Sequence, residues 1–166
     1  TKAFLVVQRF RNFLSAMGLD RDAEGCNALH LHTLSQCAFM LPYAEEVCHT
    51  LARSHKLYLV TNAVASVQRG RLAKSPIVPD ITAAFISEEA GAAKPSTAYF
   101  DYVFARIDGI TKDNCLVIGD SISSDIRGAN NYGLPCCWYN PRHTPRPDGL
   151  RIDYEIDDLR ALCDIV

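Results

Sequence analysis

The chain has 166 residues, 48% hydrophobic and 22% charged, with a formal net charge of −2. A single domain of this size buries roughly 70% of its unfolded surface, enough for a proper core. The small net charge and the lack of a Lys/Arg run exclude a broad nucleic-acid surface, and no apolar run reaches the length of a membrane span.

Residues 1 to about 40 are predicted helical. Phe4, Val7, Phe10, Phe13, Leu14 and Met17 recur at helical spacing, and Gly18 stops that helix. Asp20 or Asp22 caps a second helix carrying Ala28, Leu31, Leu34 and Cys37. Asp20-x-Asp22 follows no strand and reads as a solvated turn. His30-x-His32 would point to different faces of a helix, which is poor geometry for a metal. The aromatics Phe10, Phe13 and Phe39 can stack a base, although helical spacing places such residues in a core. Pro42 opens a helix to about Ser54, with Ala44, Val47, Leu51 and Ala52 facing inward.

From residue 57 the pattern becomes strand, helix, strand. Leu57–Val60 is a short apolar strand ending at Thr61-Asn62, and residues 66–74 are helical. Strand 83–86 leads into a loop over Ser87 to Lys94, and Pro95 begins a helix through Arg106. Leu116-Val117-Ile118 is a buried strand that breaks at Gly119. A helix over Ser123–Asn131 follows and ends at Gly133, and Leu134–Trp138 is the next strand. After a Pro-rich loop come a short strand near 152–156 and a last helix. This alternation predicts a three-layer α/β fold on a Rossmann-like parallel sheet. The seven cysteines form no C-x-x-C pair and lie in apolar runs. They read as buried, reduced thiols of a cytoplasmic protein, with the wrong spacing for zinc. The Ala3–Val7 run is too short for a signal-peptide core.

Ligands of parallel sheets sit at the carboxyl ends of strands. Three such ends carry polar groups here: Thr61-Asn62, Lys94, and Asp120 with Asp125. A hydroxyl beside backbone N–H groups makes an anion cradle, and a lysine supplies a point charge for phosphate. Two carboxylates, with Ser121 and Ser124 beside them, suit Mg²⁺, which takes one or two carboxylates, waters and phosphate oxygens. Together these groups suit phosphoryl chemistry. Each also has a plain structural role: Thr-Asn as a turn or helix cap, Lys94 as a solvated loop residue, and the two acids as caps.

The segments LYLVTNA (57–63), AAKPSTAYFDY (92–102) and VIGDSISSDIRGANNYG (117–133) resemble the second, third and fourth motifs of the haloacid dehalogenase-like (HAD) hydrolases. Their order fits, as do the gaps of 33 residues from Thr61 to Lys94 and 26 from Lys94 to Asp120. Within the family the chain is most similar to the branch that dephosphorylates pyrimidine nucleoside 5′-monophosphates. The resemblance implies a partial helical cap over 1–41 and a core over 42–166. It implies that Thr61 holds the transferring phosphoryl oxygen with help from the Asn62 backbone, and that Lys94 neutralises phosphate and nucleophile. Asp120 would bind Mg²⁺ directly, and Asp125, in the same acidic seat, would orient a metal water or Lys94.

The family's first motif, an Asp-x-Asp at the end of a strand, is not found in these residues. Its first Asp is the nucleophile and its second the general acid and base. Asp20 and Asp22 follow Gly18 rather than a strand and do not supply it. The resemblance makes that strand the middle of the sheet, so a core without it would be split in two. The expectation is a HAD phosphatase whose nucleophile lies upstream of this sequence, these residues alone being inactive. One rival is a 2-haloacid dehalogenase, which would have a non-acidic residue where Asp120 stands. Another is a non-catalytic remnant that holds Mg²⁺ and an anion. A receiver-like signalling domain is disfavoured, because its acidic pair would precede Thr61.

Overall fold

The computed structural model describes the backbone of residues 2–166 and the side chains of residues 5–166. Thr1 and the Phe4 side chain lie outside the described residues. In chain order the elements are α1 (Lys2–Ala16), α2 (Ala23–Gln36), α3 (Ala44–Leu51), β1 (Leu57–Thr61), α4 (Ala65–Leu72), β2 (Ile81–Ile86), α5 (Ser87–Ala90), α6 (Thr97–Phe104), β3 (Val117–Gly119), α7 (Arg127–Tyr132), β4 (Cys136–Tyr139) and β5 (Tyr154–Ile156). A π-helical turn spans Ile122–Ile126, and 3₁₀ turns span Val78–Asp80 and Leu159–Asp164. By packing, residues 1–39 with 66–75 form one unit, and residues 40–65 with 76–166 form another. The first unit therefore takes in residues 66–75 as well as the stretch the sequence divides off at 41.

In the first unit, α1 ends where Gly18 adopts φ +66, a backbone conformation that disfavours a side chain. Leu19 N–H then donates to Leu14 O at 2.9 Å, closing the helix in the Schellman manner. Asp22 caps α2 by accepting from Glu24 N–H at 2.9 Å. Arg11 reaches Glu24 at 2.8 Å, tying α1 to α2. Helices α2 and α4 approach closely at Gly70, where a Cβ would lie 2.8 Å from Ser35 Cβ. Phe10 meets His30 edge-on at 5.6 Å between centroids. Phe13 and Phe39 are not core residues: both are exposed, Phe39 to 88%. On α2 the buried positions are Ala23 and Asn27, while Ala28 and Leu34 are exposed.

In the second unit every strand pairing is parallel. β1 pairs with β2, with Thr61 opposite Ile86, and β3, β4 and β5 form a second sheet in that order. Strand β4 shows why three layers form. Cys136 and Trp138 point into a cluster with Phe85, Tyr99, Phe100, Val103, Ile126 and Leu134. Cys137, one residue out of phase, joins Val47, Leu51, Ile156 and Leu162 on the opposite face. A strand buried on both faces must be apolar throughout, and CCWY is. By contrast Ile118, in the middle of β3, is 38% exposed, and β1 is only half-buried along its length.

Several boundaries differ from expectation. Pro42 lies outside α3, because Tyr43 takes a left-handed φ of 62 before the helix starts at Ala44. Pro95 likewise precedes its helix: the Lys94–Pro95 peptide is cis, and α6 begins at Thr97 after Ser96. Residues 87–90 form a short helix rather than a loop. The single helix expected over 123–131 is a π-helical turn running into α7. All seven cysteines are free, but only Cys136 and Cys137 are buried, and Cys163 is exposed. The apolar run that suggests a buried thiol at 163 is a 3₁₀ turn that buries Leu162 and leaves Cys163 outside. Among the described residues no helix is long and apolar enough to cross a membrane.

Candidate functional site

The site is built on Lys94. Its residue is buried to 8% exposure, in the loop between α5 and α6. A buried ammonium must be paired and hydrogen-bonded. Its Nζ donates to Asp125 Oδ1 at 2.6 Å and to the Val60 carbonyl on β1 at 2.7 Å. An ammonium has three N–H donors, so these two bonds leave one to point at a ligand oxygen.

Asp125 is held as tightly. It is 7% exposed, and its second oxygen, Oδ2, accepts from Ser121 N–H at 3.1 Å. The π-helical turn brings it there: Asp125 N–H and Ile126 N–H both donate to Ser121 O, at 2.8 and 3.2 Å. Gly119 makes the room. A Cβ on Gly119 would lie 2.4 Å from Asp125 Cγ and Oδ2, so only glycine lets the carboxylate fold back against the end of β3.

Asp120, one residue further, is exposed, and its carboxylate makes no hydrogen bond or ion pair among the described residues. Its main chain is fixed instead: the carbonyl accepts from Trp138 Nε1–H at 3.1 Å, on the neighbouring strand. Ser121 Oγ lies 3.4 Å from Ser123 Oγ. An exposed hard-oxygen carboxylate with hydroxyls nearby fits Mg²⁺ as one arm of a largely hydrated site. Among the described residues no group of three or more His, Cys, Asp or Glu side chains could hold a metal, and His30 and His32 form no site.

Thr61 closes β1. Its N–H donates to Tyr99 Oη at 3.0 Å, and Tyr99 in turn donates to Phe85 O at 2.6 Å. The backbone N–H of Thr61 is therefore committed, and any anion cradle there uses its hydroxyl and the groups that follow. Tyr99 is fully buried, and that burial pushes its phenol up to about 12, against the Thr61 N–H bond, which favours the phenolate. Asn62 is solvent-facing, yet its side-chain amide exchanges two hydrogen bonds with the main chain of Lys94, at 2.7 and 2.9 Å.

The fold thus joins Asn62, Lys94 and Asp125 by direct bonds, holds Thr61 separately through Tyr99 and Phe85, and leaves the Asp120 carboxylate at its strand end. Sequence reasoning omits Tyr99, Trp138 and the Val60 carbonyl. The first two had a signal, since a buried Tyr or Trp needs a partner for its polar hydrogen. A main-chain carbonyl carries none.

A family model described as HAD-hydrolase-like matches residues 91–162. The pyrimidine 5′-nucleotidase PynA of Streptococcus pneumoniae is 33% identical over 99% of this chain, which spans 70% of that protein. The structure of YfnB from Bacillus subtilis, named for the HAD-hydrolases and determined with bound magnesium, is also 33% identical. It superposes with a TM-score of 0.94, covering 99% of this chain and 72% of that one. A 2-haloacid dehalogenase structure from Pseudomonas syringae, 27% identical, superposes at 0.72 over 97% of this chain and 69% of that one. These similarities extend over nearly the whole sequence, and the chain belongs to the haloacid dehalogenase-like family of hydrolases.

Proposed function

We propose that these residues form the phosphate-handling part of a Mg²⁺-dependent HAD phosphatase acting on a phosphate monoester of the nucleoside 5′-monophosphate class. The observation that carries this is the buried Lys94 ammonium, with two donors spent on Asp125 and Val60 and a third left for a ligand. In this reading that N–H meets a phosphate oxygen, and the Thr61 hydroxyl, with the main chain of Asn62 beside it, meets another. Asp120 holds Mg²⁺, which when bound neutralises phosphate charge. Asp125, with both oxygens already engaged by protein donors, orients Lys94 and contributes to the metal seat only through the loop it braces. The nucleotide reading is supported by the likeness to PynA, and the magnesium reading by the likeness to YfnB. An acidic residue at 120 disfavours a dehalogenase. Seven free thiols support a reducing, cytoplasmic setting.

The nucleophilic carboxylate is proposed to come from a preceding segment and to sit between β1 and β3, where it would take the phosphoryl group as the P–O ester bond breaks and the alcohol leaves with a proton. The division of the strands into two sheets and the exposure of Ile118 support this. The 166-residue chain alone should then bind inorganic phosphate, with affinity falling at least about tenfold in Lys94→Ala, and should hydrolyse no nucleotide. Calorimetric titration and a Mg²⁺-supplemented nucleotide panel test the two halves. Phosphate binding that ignores Lys94→Ala would overturn the site. Hydrolysis by the chain alone, abolished in Asp120→Ala, would overturn the need for an external nucleophile.

A further inference from the structure

We infer that the Asn62 side chain is a positioning residue that fixes the main chain of Lys94, and through it the direction of the Lys94 ammonium. This rests on the phosphate-handling reading of Lys94 given above.

The geometry is reciprocal. Asn62 Nδ2–H donates to Lys94 O at 2.7 Å, and Lys94 N–H donates to Asn62 Oδ1 at 2.9 Å. One planar amide thus satisfies both main-chain polar groups of residue 94, as a neighbouring strand would. Residue 94 needs such a partner because it lies in no helix or strand. The lysine side chain then runs back to β1, its Nζ donating to the carbonyl of Val60, two residues before Asn62. Lys94 is held at both ends by β1 and the residue that follows it, its main chain by Asn62 and its tip by Val60, while Asp125 holds the tip from the segment after β3.

The ordinary role for an Asn after a strand is to cap the next helix. That role is filled by another residue here: Ala65 N–H, at the start of α4, donates to Glu88 Oε2 at 2.6 Å. The Asn62 amide is spent on Lys94 instead. The chemistry also selects the residue type. Asparagine carries an NH₂ donor group and a carbonyl acceptor on one rigid plane, whereas aspartate offers acceptors only and would face the Lys94 carbonyl unfavourably.

The test uses the full 166-residue chain with ¹⁵N-labelled lysine, observing side-chain ammonium groups by NMR. The chain has five lysines, at 2, 56, 74, 94 and 112. The wild type is expected to show a slowly exchanging ammonium that disappears in Lys94→Arg. Asn62→Ala should speed its exchange about tenfold or erase it, while backbone amides stay dispersed and their protection is unchanged. A merely structural role would instead lower the protection of core amides together with the ammonium. Asn62→Asp, of the same size but lacking the donor, should also lose protection, and it decides the matter if Asn62→Ala does not fold. An ammonium equally protected in Asn62→Asp, or none protected in the wild type, overturns the inference. Added inorganic phosphate separates the two levels. If it leaves the Lys94 signal unmoved while the Asn62 dependence holds, the phosphatase reading fails and the positioning role stands.

Discussion

Removing either partner of the Lys94–Asp125 pair should cost far more than the pair is worth, and removing both should recover much of the loss. The two side chains are 7% and 10% exposed and meet at 2.6 Å. Truncating one partner of a buried pair leaves the other charged and unsolvated, at about 3–5 kcal/mol. Asp125→Ala also strips the acceptor from Ser121 N–H, worth about 1–3 kcal/mol more if that group stays dry. Asp125→Ala is therefore expected to lose about 5 kcal/mol and Lys94→Met about 4 kcal/mol. The double variant, with no buried charge left over, should fall short of their sum by about 3 kcal/mol or more. Urea unfolding followed by circular dichroism reads this directly. With a slope of about 2 kcal/mol per molar, a 4 kcal/mol loss lowers the midpoint by about 2 M. Asp125→Asn, which keeps an acceptor for Ser121 N–H but not the charge, isolates the ionic part. Single losses that add to the double within about 0.5 kcal/mol would refute the claim that the two charges act as one unit.

Three further outcomes follow from the same geometry. Gly119→Ala should destabilise the fold by about 2–3 kcal/mol, because its Cβ would sit 2.4 Å from the Asp125 carboxylate; Gly91→Ala, where the backbone is left-handed but the space is open, should cost only about 1 kcal/mol, and thermal melts compare them. Tyr99→Phe should cost about 2 kcal/mol by orphaning Thr61 N–H and Phe85 O. In the wild type the Tyr99 phenol is raised from 10.0 to about 12, so the stability tied to its neutral form is complete below pH 10 and is lost as pH rises through about 12. Burial and Asp101 raise the Tyr132 phenol as well, so spectrophotometric titration of the phenolates should show Tyr99 as the last group to titrate in wild type, and that last step should be absent in Tyr99→Phe. Finally, Cys163 should be alkylated first at pH 8, and Cys136 and Cys137 last, since burial raises both thiols, Cys137 to about 11; peptide mapping after brief iodoacetamide exposure checks the order.

The strands and the polar strand ends were legible because β-strands and their stops leave local marks. Leu57–Thr61 is an apolar run with a polar end, and Gly119-Asp120 breaks another. Side-chain destinations were not legible, because they depend on partners far along the chain. Nothing near Asn62 says that its amide belongs to residue 94 rather than to the helix three residues on. The Pro42 and Pro95 helix starts failed for a related reason: proline is tolerated both inside a first turn and just before it. At 43 and at 94–95 the backbone takes conformations that a propensity cannot foretell. Phe13 and Phe39 fit helical spacing, but spacing gives a face and not what covers it.

The Lys94 cluster draws on segments 31 to 34 residues apart: Val60 and Asn62 before it, and Asp125 after. None of its bonds can form in a hairpin or a single turn of helix. Closing two loops of that size costs conformational entropy before any contact repays it. The cluster is therefore expected to assemble late in folding, after β1 and the π-helical turn have settled on their cores. Substitutions within it should speed unfolding while hardly slowing folding. A peptide carrying only one of the three segments would possess the motif and none of the site.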